Sequence, residues 1–449
     1  MADIWAADAN KALSIRLVGA PSPADKPFSP EFTYQVGFGQ EETIFGYTNL
    51  SILLTFSASS LLPLLSVNFS TVNEATTAKI DDIPAILSEF LPPDHTIDAE
   101  EHAKKLEEDI KGWKPLGDKV GEYSRPGGAS KGKGKAGSKR PAPGTSANGA
   151  ASSSSSSSAG AAAGDSDALH FEIYRSNWQT PGWRDFHRRM QIFALFFIEG
   201  ASYIHEDEGN WEWLTTWQRW VDDEGRTRWA FVGYTSLYRF WHYPSSARLR
   251  LSQFIILPPY HKQGHGSRLY AHVYAQAQAD EAVTELTIED PNEAFDQLRD
   301  TCDLKTLLQP GGIVAQMKEE QPERGGIGAP LGKARSERWR LKAKIAKRQW
   351  SRLIEMLQLM ELDPSDRAAI KAYRLQVKAR LYRFNKDVLT DLPLSERHQK
   401  LQETYENLLE AEYGELVGVD VEPFLDGPDS SSSDGMGNGV KRFKGDDDE

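Results

Sequence analysis

Apolar side chains recur along this chain in two rhythms, one of strands and one of helices. LSIRLV at 13–18 and SILLTFSA at 51–58 predict strands. IDDIPAILSEFL at 80–91 predicts a helix with Ile83, Ile86, Leu87 and Phe90 on one face. Trp183, Phe186, Met190, Phe193 and Phe197 fall three or four residues apart, the spacing of a buried helix face. WEWLTTWQRWV and TRWAFVGYTSLYRFW then predict a hairpin around Asp222, Asp223, Glu224 and Gly225, and a further strand runs from Arg248 to Leu257. Beyond about residue 303 the pattern is helical, with Leu375, Leu381, Tyr382, Leu401, Tyr405 and Leu408 expected on packing faces. Both rhythms stop in residues 124–167 and 426–449. These are rich in Gly, Ser, Ala and charge and hold too few apolar side chains to bury a core, so both are expected to be disordered.

One stretch carries more chemistry than the rest. Phe254, Ile255, Ile256 and Leu257 form a continuous apolar run, as in a strand covered on both faces. Pro258 and Pro259 cannot donate ladder hydrogen bonds, so pairing should end there. Gly264 and Gly266 flank His265, and Ser267, Arg268, Leu269 and Tyr270 open a helix. The first amides of a helix lack intrahelical partners and carry the positive end of its dipole, and glycines let that backbone approach an anion. The spacing fits neither G-x-G-x-x-G nor G-x-x-x-x-G-K-[ST]. A second strand, TELTI, ends directly in Glu289 and Asp290, with Pro291 next, so the two carboxylates sit at a strand end.

Composition narrows the function classes. The chain has 449 residues, enough for two or three domains. A single cysteine, Cys302, excludes a disulfide framework and a multi-thiolate zinc site. The histidines show no metal-ligand spacing, and no metal is expected. No apolar run reaches the roughly 18 residues of a membrane span, and Met-Ala-Asp-Ile-Trp lacks the features of a signal peptide, so cytoplasm and nucleus are the expected locations. The net charge of −13 argues against a general nucleic-acid binder and suits a basic peptide. Residues 333–352 run against it, with nine Lys or Arg and one Glu, and Trp339 and Trp350 interleaved. They read either as a nucleic-acid or histone-chaperone contact or as a solvated basic face.

The loop resembles the Q/R-x-x-G-x-G/A loop of the Gcn5-related N-acetyltransferases, with His261 where that pattern has Gln or Arg. The resemblance tightens over SQFIILPPYHKQGHGSRLY, TIEDPNEAFDQLRD, FFIEGASYI, FVGYTSLYRFWHYP and FTYQVGFGQEETIFGYTNLSILL: together these resemble the type B histone acetyltransferase catalytic subunits. The resemblance implies an α/β fold. A mixed-sheet acetyltransferase core at 168–302 would lie between an α/β N-terminal domain at 1–123 and a helical C-terminal domain at 303–425. It implies acetyl-CoA, held by the backbone of Phe254, Ile255 and Ile256, by His261, Lys262, Gln263, Gly264, His265, Gly266 and Ser267, and by Asn292. The family arginine expected near 301 is Thr301 here. A histone peptide would run past Glu42, Thr43 and Ile44 and along Phe231, Tyr234, Ser236 and Tyr238.

The resemblance also assigns chemistry. Glu289 falls on the family's general base, and Glu199 and Asp290 on positions suspected of assisting. A lysine with a pKa near ~10.4 is neutral in only about one molecule in a thousand at neutral pH, so a base is needed, and burial would tune a glutamate toward that task. Adjacent strand residues point to opposite faces, so Glu289 and Asp290 should differ in role. The implied reaction is direct attack, in a ternary complex, by lysines on the tail of newly made, non-nucleosomal histone four. A WD-repeat β-propeller histone chaperone is the implied partner, with no membrane and no sequence-specific nucleic acid involved. The rival readings are an acetyltransferase of another protein or small amine and a non-catalytic histone-binding scaffold.

Overall fold

The computed structural model describes residues 4–75, 78–127, 168–321 and 327–425. Most of the expected insert at 124–167, and the tail at 426–449, lie outside them. The chain forms two compact units. One takes in Met1–Trp241 and Leu249–Val273, the other His242–Arg248 and Tyr274–Glu449.

The first unit joins what composition divides. Strands β1 (Leu13–Val18), β2 (Ser51–Ser57) and β3 (Pro63–Asn68) form one small sheet, with β1 and β2 parallel and β2 and β3 antiparallel. Helices α1 (Ile83–Ser88) and α2 (Ala99–Gly112) follow, each started by an aspartate, Asp82 or Asp98, whose side chain accepts first-turn amides. Then β4 (Asp118–Pro126) pairs antiparallel with β5 (Ala168–Asn177), so the expected boundary after residue 123 falls inside a strand. Past α3 (Trp183–Met190) and α4 (Ile192–Phe197) come β6 (Trp211–Val221), β7 (Thr227–His242) and β8 (Ser246–Ile256). The sheet order from β4 is β4-β5-β6-β7-β8.

The expected helix over Trp183 to Phe197 is two helices that meet at Gln191. Its apolar face is as expected: Trp183, Phe186, Met190 and Phe193 are buried. One apolar core runs through the unit. It contains Ile15, Leu54 and Phe56 from the small sheet together with Phe193, Trp217 and Phe231, and the Phe56 and Phe193 rings lie 5.0 Å apart.

Helix α5 (His265–Ala279) leads into the second unit. There β9 (Val283–Ile288) is followed by α6 (Glu293–Leu307), α7 (Ile313–Glu320), α8 (Lys333–Ala343), α9 (Lys347–Glu361), α10 (Arg367–Phe384) and α11 (Leu394–Leu408). Leu381, Tyr405 and Leu408 are buried as expected, but Leu375 is exposed. The buried stripe of α10 is Ile370, Tyr373, Val377 and Leu381, and Leu375 lies off it. Among the described residues no helix is long and apolar enough to cross a membrane.

The basic run at 333–352 is not a uniformly solvated face, although Lys333, Arg338, Lys342, Lys347 and Arg348 are exposed. Most of its cations are tied into the second unit. Arg335 and Arg338 pair with Glu320, Arg340 pairs with Glu337 and Glu285, and Arg352 pairs with Asp300 and Glu412. Lys344 Nζ donates to the carbonyls of Ala277, Gln278 and Asp280 at 3.0, 3.1 and 2.8 Å, closing the C-terminus of α5.

Candidate active site

The glycine-bearing loop belongs to the first unit. Strand β8 ends at Ile256, and the Leu257 amide donates to the Val232 carbonyl at 2.9 Å. Pro258–Tyr260 make a single tight helical turn, anchored by the buried Tyr260, whose hydroxyl donates to Gln218 at 3.2 Å. Lys262 (φ 56°) and Gly264 (φ 80°) take left-handed conformations, and α5 starts at His265. At Gly264 this φ favours glycine, and an added Cβ would lie 2.8 Å from an Arg268 nitrogen. His261 turns its imidazole back onto the Ile256 carbonyl.

His265 is buried, 1% exposed, among the rings of Tyr123, Phe171 and Tyr260. Arg125 Nη1 lies 3.3 Å from its Nε2, and the Tyr123 hydroxyl lies 2.7 Å from its Nδ1. A guanidinium can only donate, so Nε2 accepts and Nδ1 carries the proton that it gives to Tyr123. Burial, reinforced by the charges of Arg125 and Arg268, lowers the His265 pKa to about 4. It is therefore a neutral wedge beneath the loop and not a proton carrier. Arg125 also donates to Gln263 Oε1 at 2.6 Å, while Gln263 Nε2 donates to the Pro259 carbonyl at 2.8 Å. Sequence reasoning missed Tyr123, Arg125 and Arg268. Their partners lie up to 142 residues away in the chain, and only the spacing of Tyr123 and Arg125 on one face of a strand hints at them.

Strand β8 is held where the loop begins. Tyr234 donates to Gln253 Oε1 at 3.0 Å, Thr235 donates to the Gln253 carbonyl at 2.8 Å, and the Gln253 amide donates to Ser236 at 2.9 Å. Gly233 lets the two strands close up, since a Cβ there would lie 2.1 Å from the Ile255 carbonyl oxygen. Tyr234 and Ser236, expected along a peptide groove, are thus fully buried and brace β8, and Phe231 is a core residue.

The other expected peptide residues divide in the same way. Ile44 is fully buried. Glu42 spends its carboxylate inside the fold, accepting the Thr33 and Tyr34 amides at 2.6 and 3.1 Å and the Asn10 side-chain amide at 2.6 Å. Thr43 is exposed, and Tyr238 is half-buried between Trp211 and Phe240. Glu199, expected to assist Glu289, is exposed on the turn after α4. The apolar residues before it point inward, and Gln35 caps the helix end by donating to the Leu195 and Ile198 carbonyls at 2.8 and 2.9 Å.

In the second unit β9 stops at Ile288 and the chain turns sharply. Glu289 is half-buried, whereas Asp290 (φ 33°) is exposed. Asn292 caps α6, its side chain accepting the Phe295 amide at 2.9 Å, and Thr301 bonds back to Gln297 within that helix. Cys302 is buried in α6. Strand β9 is clamped both from the start of β8 and from the helical side. Glu285 pairs with Arg248 at 2.8 Å and Arg340 at 2.7 Å, and the Leu286 amide donates to the Lys344 carbonyl at 2.8 Å.

Residues 5–199 match the family model described as histone acetyl transferase HAT1 N-terminus, and residues 173–296 match the acetyltransferase (GNAT) family. Residues 300–363 match the model described as fungal HAT1, C-terminal. The chain is 49% identical over 438 residues to the histone acetyltransferase type B catalytic subunit of Mycosarcoma maydis, covering 96% of this chain and 93% of that one. It is 41% identical to the protein of the same name from Cryptococcus neoformans, covering 92% and 98% of the two chains. The chain belongs to the type B histone acetyltransferase catalytic subunits.

A type B histone acetyltransferase carries a GNAT domain, and that family takes acetyl-CoA as acyl donor. The loop at 261–267 has the chemistry for the donor's diphosphate. The left-handed residues on its approach lead into first-turn amides with the positive end of the α5 dipole behind them. Arg125, Lys262 and Arg268 add positive charge around it. In this type B enzyme side chains of the loop and of the first turn of α5 also occupy the Ile256 and Pro259 carbonyls on its approach and the Gly264 carbonyl within it, which would otherwise repel an anion.

Proposed function

We propose that this enzyme moves the acetyl group of acetyl-CoA onto lysine ε-amines in the N-terminal tail of newly made, non-nucleosomal histone four. The observation that carries the reading is the end of β9, where a half-buried Glu289 is presented just before the left-handed Asp290 and then Pro291. Glu289 takes the proton of the attacking amine, and the neutral nitrogen attacks the thioester carbonyl within a ternary complex. The tetrahedral intermediate collapses, the carbon–sulfur bond breaks, the second proton of the attacking nitrogen passes to the sulfur, and CoA leaves as the thiol. Asp290, exposed and on the other side of the turn, attracts the positive substrate lysine, and Glu199 does the same from its own turn. Direct attack is favoured over an acetyl-cysteine route because Cys302 is buried within α6.

The proposal extends to a WD-repeat β-propeller histone chaperone as partner, and to work in both cytoplasm and nucleus before histones join chromatin. The test is radiolabelled acetyl transfer to histone-tail peptides by wild type and Glu289→Gln. The variant should lose roughly 100-fold or more in kcat with little change in peptide KM. Unchanged turnover would sink the assignment of the base, and transfer to polyamines but not to peptides would replace the histone substrate with a small amine.

A further inference from the structure

Five carbonyls on the approach to the donor loop and within it are occupied. His261 holds the Ile256 carbonyl, Gln263 the Pro259 carbonyl, and Arg268 the Gly264 carbonyl, through both its amide at 3.3 Å and its guanidinium at 3.2 Å. The Leu257 and Pro258 carbonyls accept the Tyr260 and His261 amides at 2.9 and 3.1 Å. An anion approaching the loop therefore meets amides and cations before it meets these oxygens.

What sets this arrangement is outside the loop, on β4. One nitrogen of Arg125 donates both to Gln263 and to His265, the residues on either side of Gly264. Because Arg125 donates to the Gln263 oxygen, the amide nitrogen of Gln263 must face the Pro259 carbonyl. The Tyr123 hydroxyl accepts from His265, and the Tyr123 ring lies between Phe171, stacked at 5.2 Å, and the Arg268 guanidinium at 4.9 Å. The same Arg268 closes off the Gly264 carbonyl. Two residues of one strand thus determine where the side chains of Gln263, His265 and Arg268 point.

We propose that Tyr123 and Arg125 are positioning residues for the diphosphate of the acyl donor: β4 braces the loop in the form that receives an anion, and so makes the enzyme favour donors that carry a diphosphate over thioesters that lack one. The inference rests on the donor reading above. At the position where the family pattern has Gln or Arg, His261 is turned back onto its own strand, and the brace supplies order to the loop from β4, at the edge of the sheet, instead.

The experiment compares acetyl-CoA with S-acetylpantetheine, which has the same thioester arm but no diphosphate or nucleotide. Arg125→Met should raise KM for acetyl-CoA about tenfold at unchanged kcat, the loss of a charge-assisted contact, and leave KM for S-acetylpantetheine within about twofold. Arg125→Lys should recover part of the loss, and Tyr123→Phe should show a smaller rise, roughly threefold. Gln263→Glu provides a variant at a loop side chain in case Arg125→Met folds poorly. It keeps the Arg125 contact but loses the donor to Pro259, and should raise KM for acetyl-CoA alone. A rise that is equal for both donors, or no rise for acetyl-CoA, overturns the brace. A wild-type enzyme that does not use acetyl-CoA overturns the donor reading itself, a different result from a variant that matches a working wild type.

Discussion

Glu42 and His187 show how far a residue's role depends on what surrounds it. Glu42 lies in an acidic stretch that suits a basic peptide, yet its carboxylate holds two backbone amides and Asn10. Glu42→Ala should therefore cost about 1–3 kcal/mol of stability, read by denaturant titration, because buried donors lose their acceptor. A change confined to peptide KM would return Glu42 to the substrate. His187 is enclosed by Trp178, Trp183 and Trp213, with neither ring nitrogen bonded to another protein group. Burial lowers its pKa to about 3, against an opposing pull from Glu206 and with added repulsion from Arg188. The unfolded chain takes up this proton near pH ~6.5 and the folded chain does not, so stability is full above that pH and falls as pH drops toward 3. His265, lowered to about 4, adds a second loss in the same direction. Thermal midpoints measured from pH 7 to pH 5 should fall less steeply in His187→Phe, by up to about 1.4 kcal/mol per pH unit below the unfolded pKa.

At the scale of elements, the periodic segments were legible and the ties between them were not. The hairpin predicted around residues 222–225 is β6 and β7, turned by Asp222 accepting the Glu224 and Arg226 amides. Its strand pattern survives because alternating side chains meet a local rule. The run at 333–352 has a helical pattern too, but its charges alone leave open a contact or a solvated face. In the fold, Lys344 and Arg340 act as struts for α5 and β9. Lys344→Met should lower stability by roughly 1–2 kcal/mol, the value of a partly buried helix C-terminal cation. Arg340→Met should cost more, about 3–5 kcal/mol, since it leaves Glu285 short of a partner in a largely buried pair. Chemical denaturation of the two variants checks the order, and a larger loss from Lys344→Met would contradict it.

For the molecule as a whole, the charge balance predicts how the enzyme meets its substrate. With a net charge of −13 and cations of the basic run such as Arg340 and Arg352 paired within the fold, attraction for a lysine-rich tail would be long-range and screened by salt. KM for a histone-tail peptide should rise several-fold between about 0.05 and 0.3 M salt, with kcat nearly constant. A flat KM would place recognition in short-range contacts instead. By itself, the sequence determined the order of strands and helices, the glycine-bearing loop after β8, and the carboxylates at the end of β9. Each depends on residues within a few positions of one another. The tertiary structure decided which polar groups are used up: Tyr234 and Ser236 on Gln253, Glu42 on two amides, and Tyr123 and Arg125 beneath a loop about 140 residues further on. Such pairings leave no period in the chain. They arise because a buried donor or acceptor must find a partner wherever folding brings one within reach.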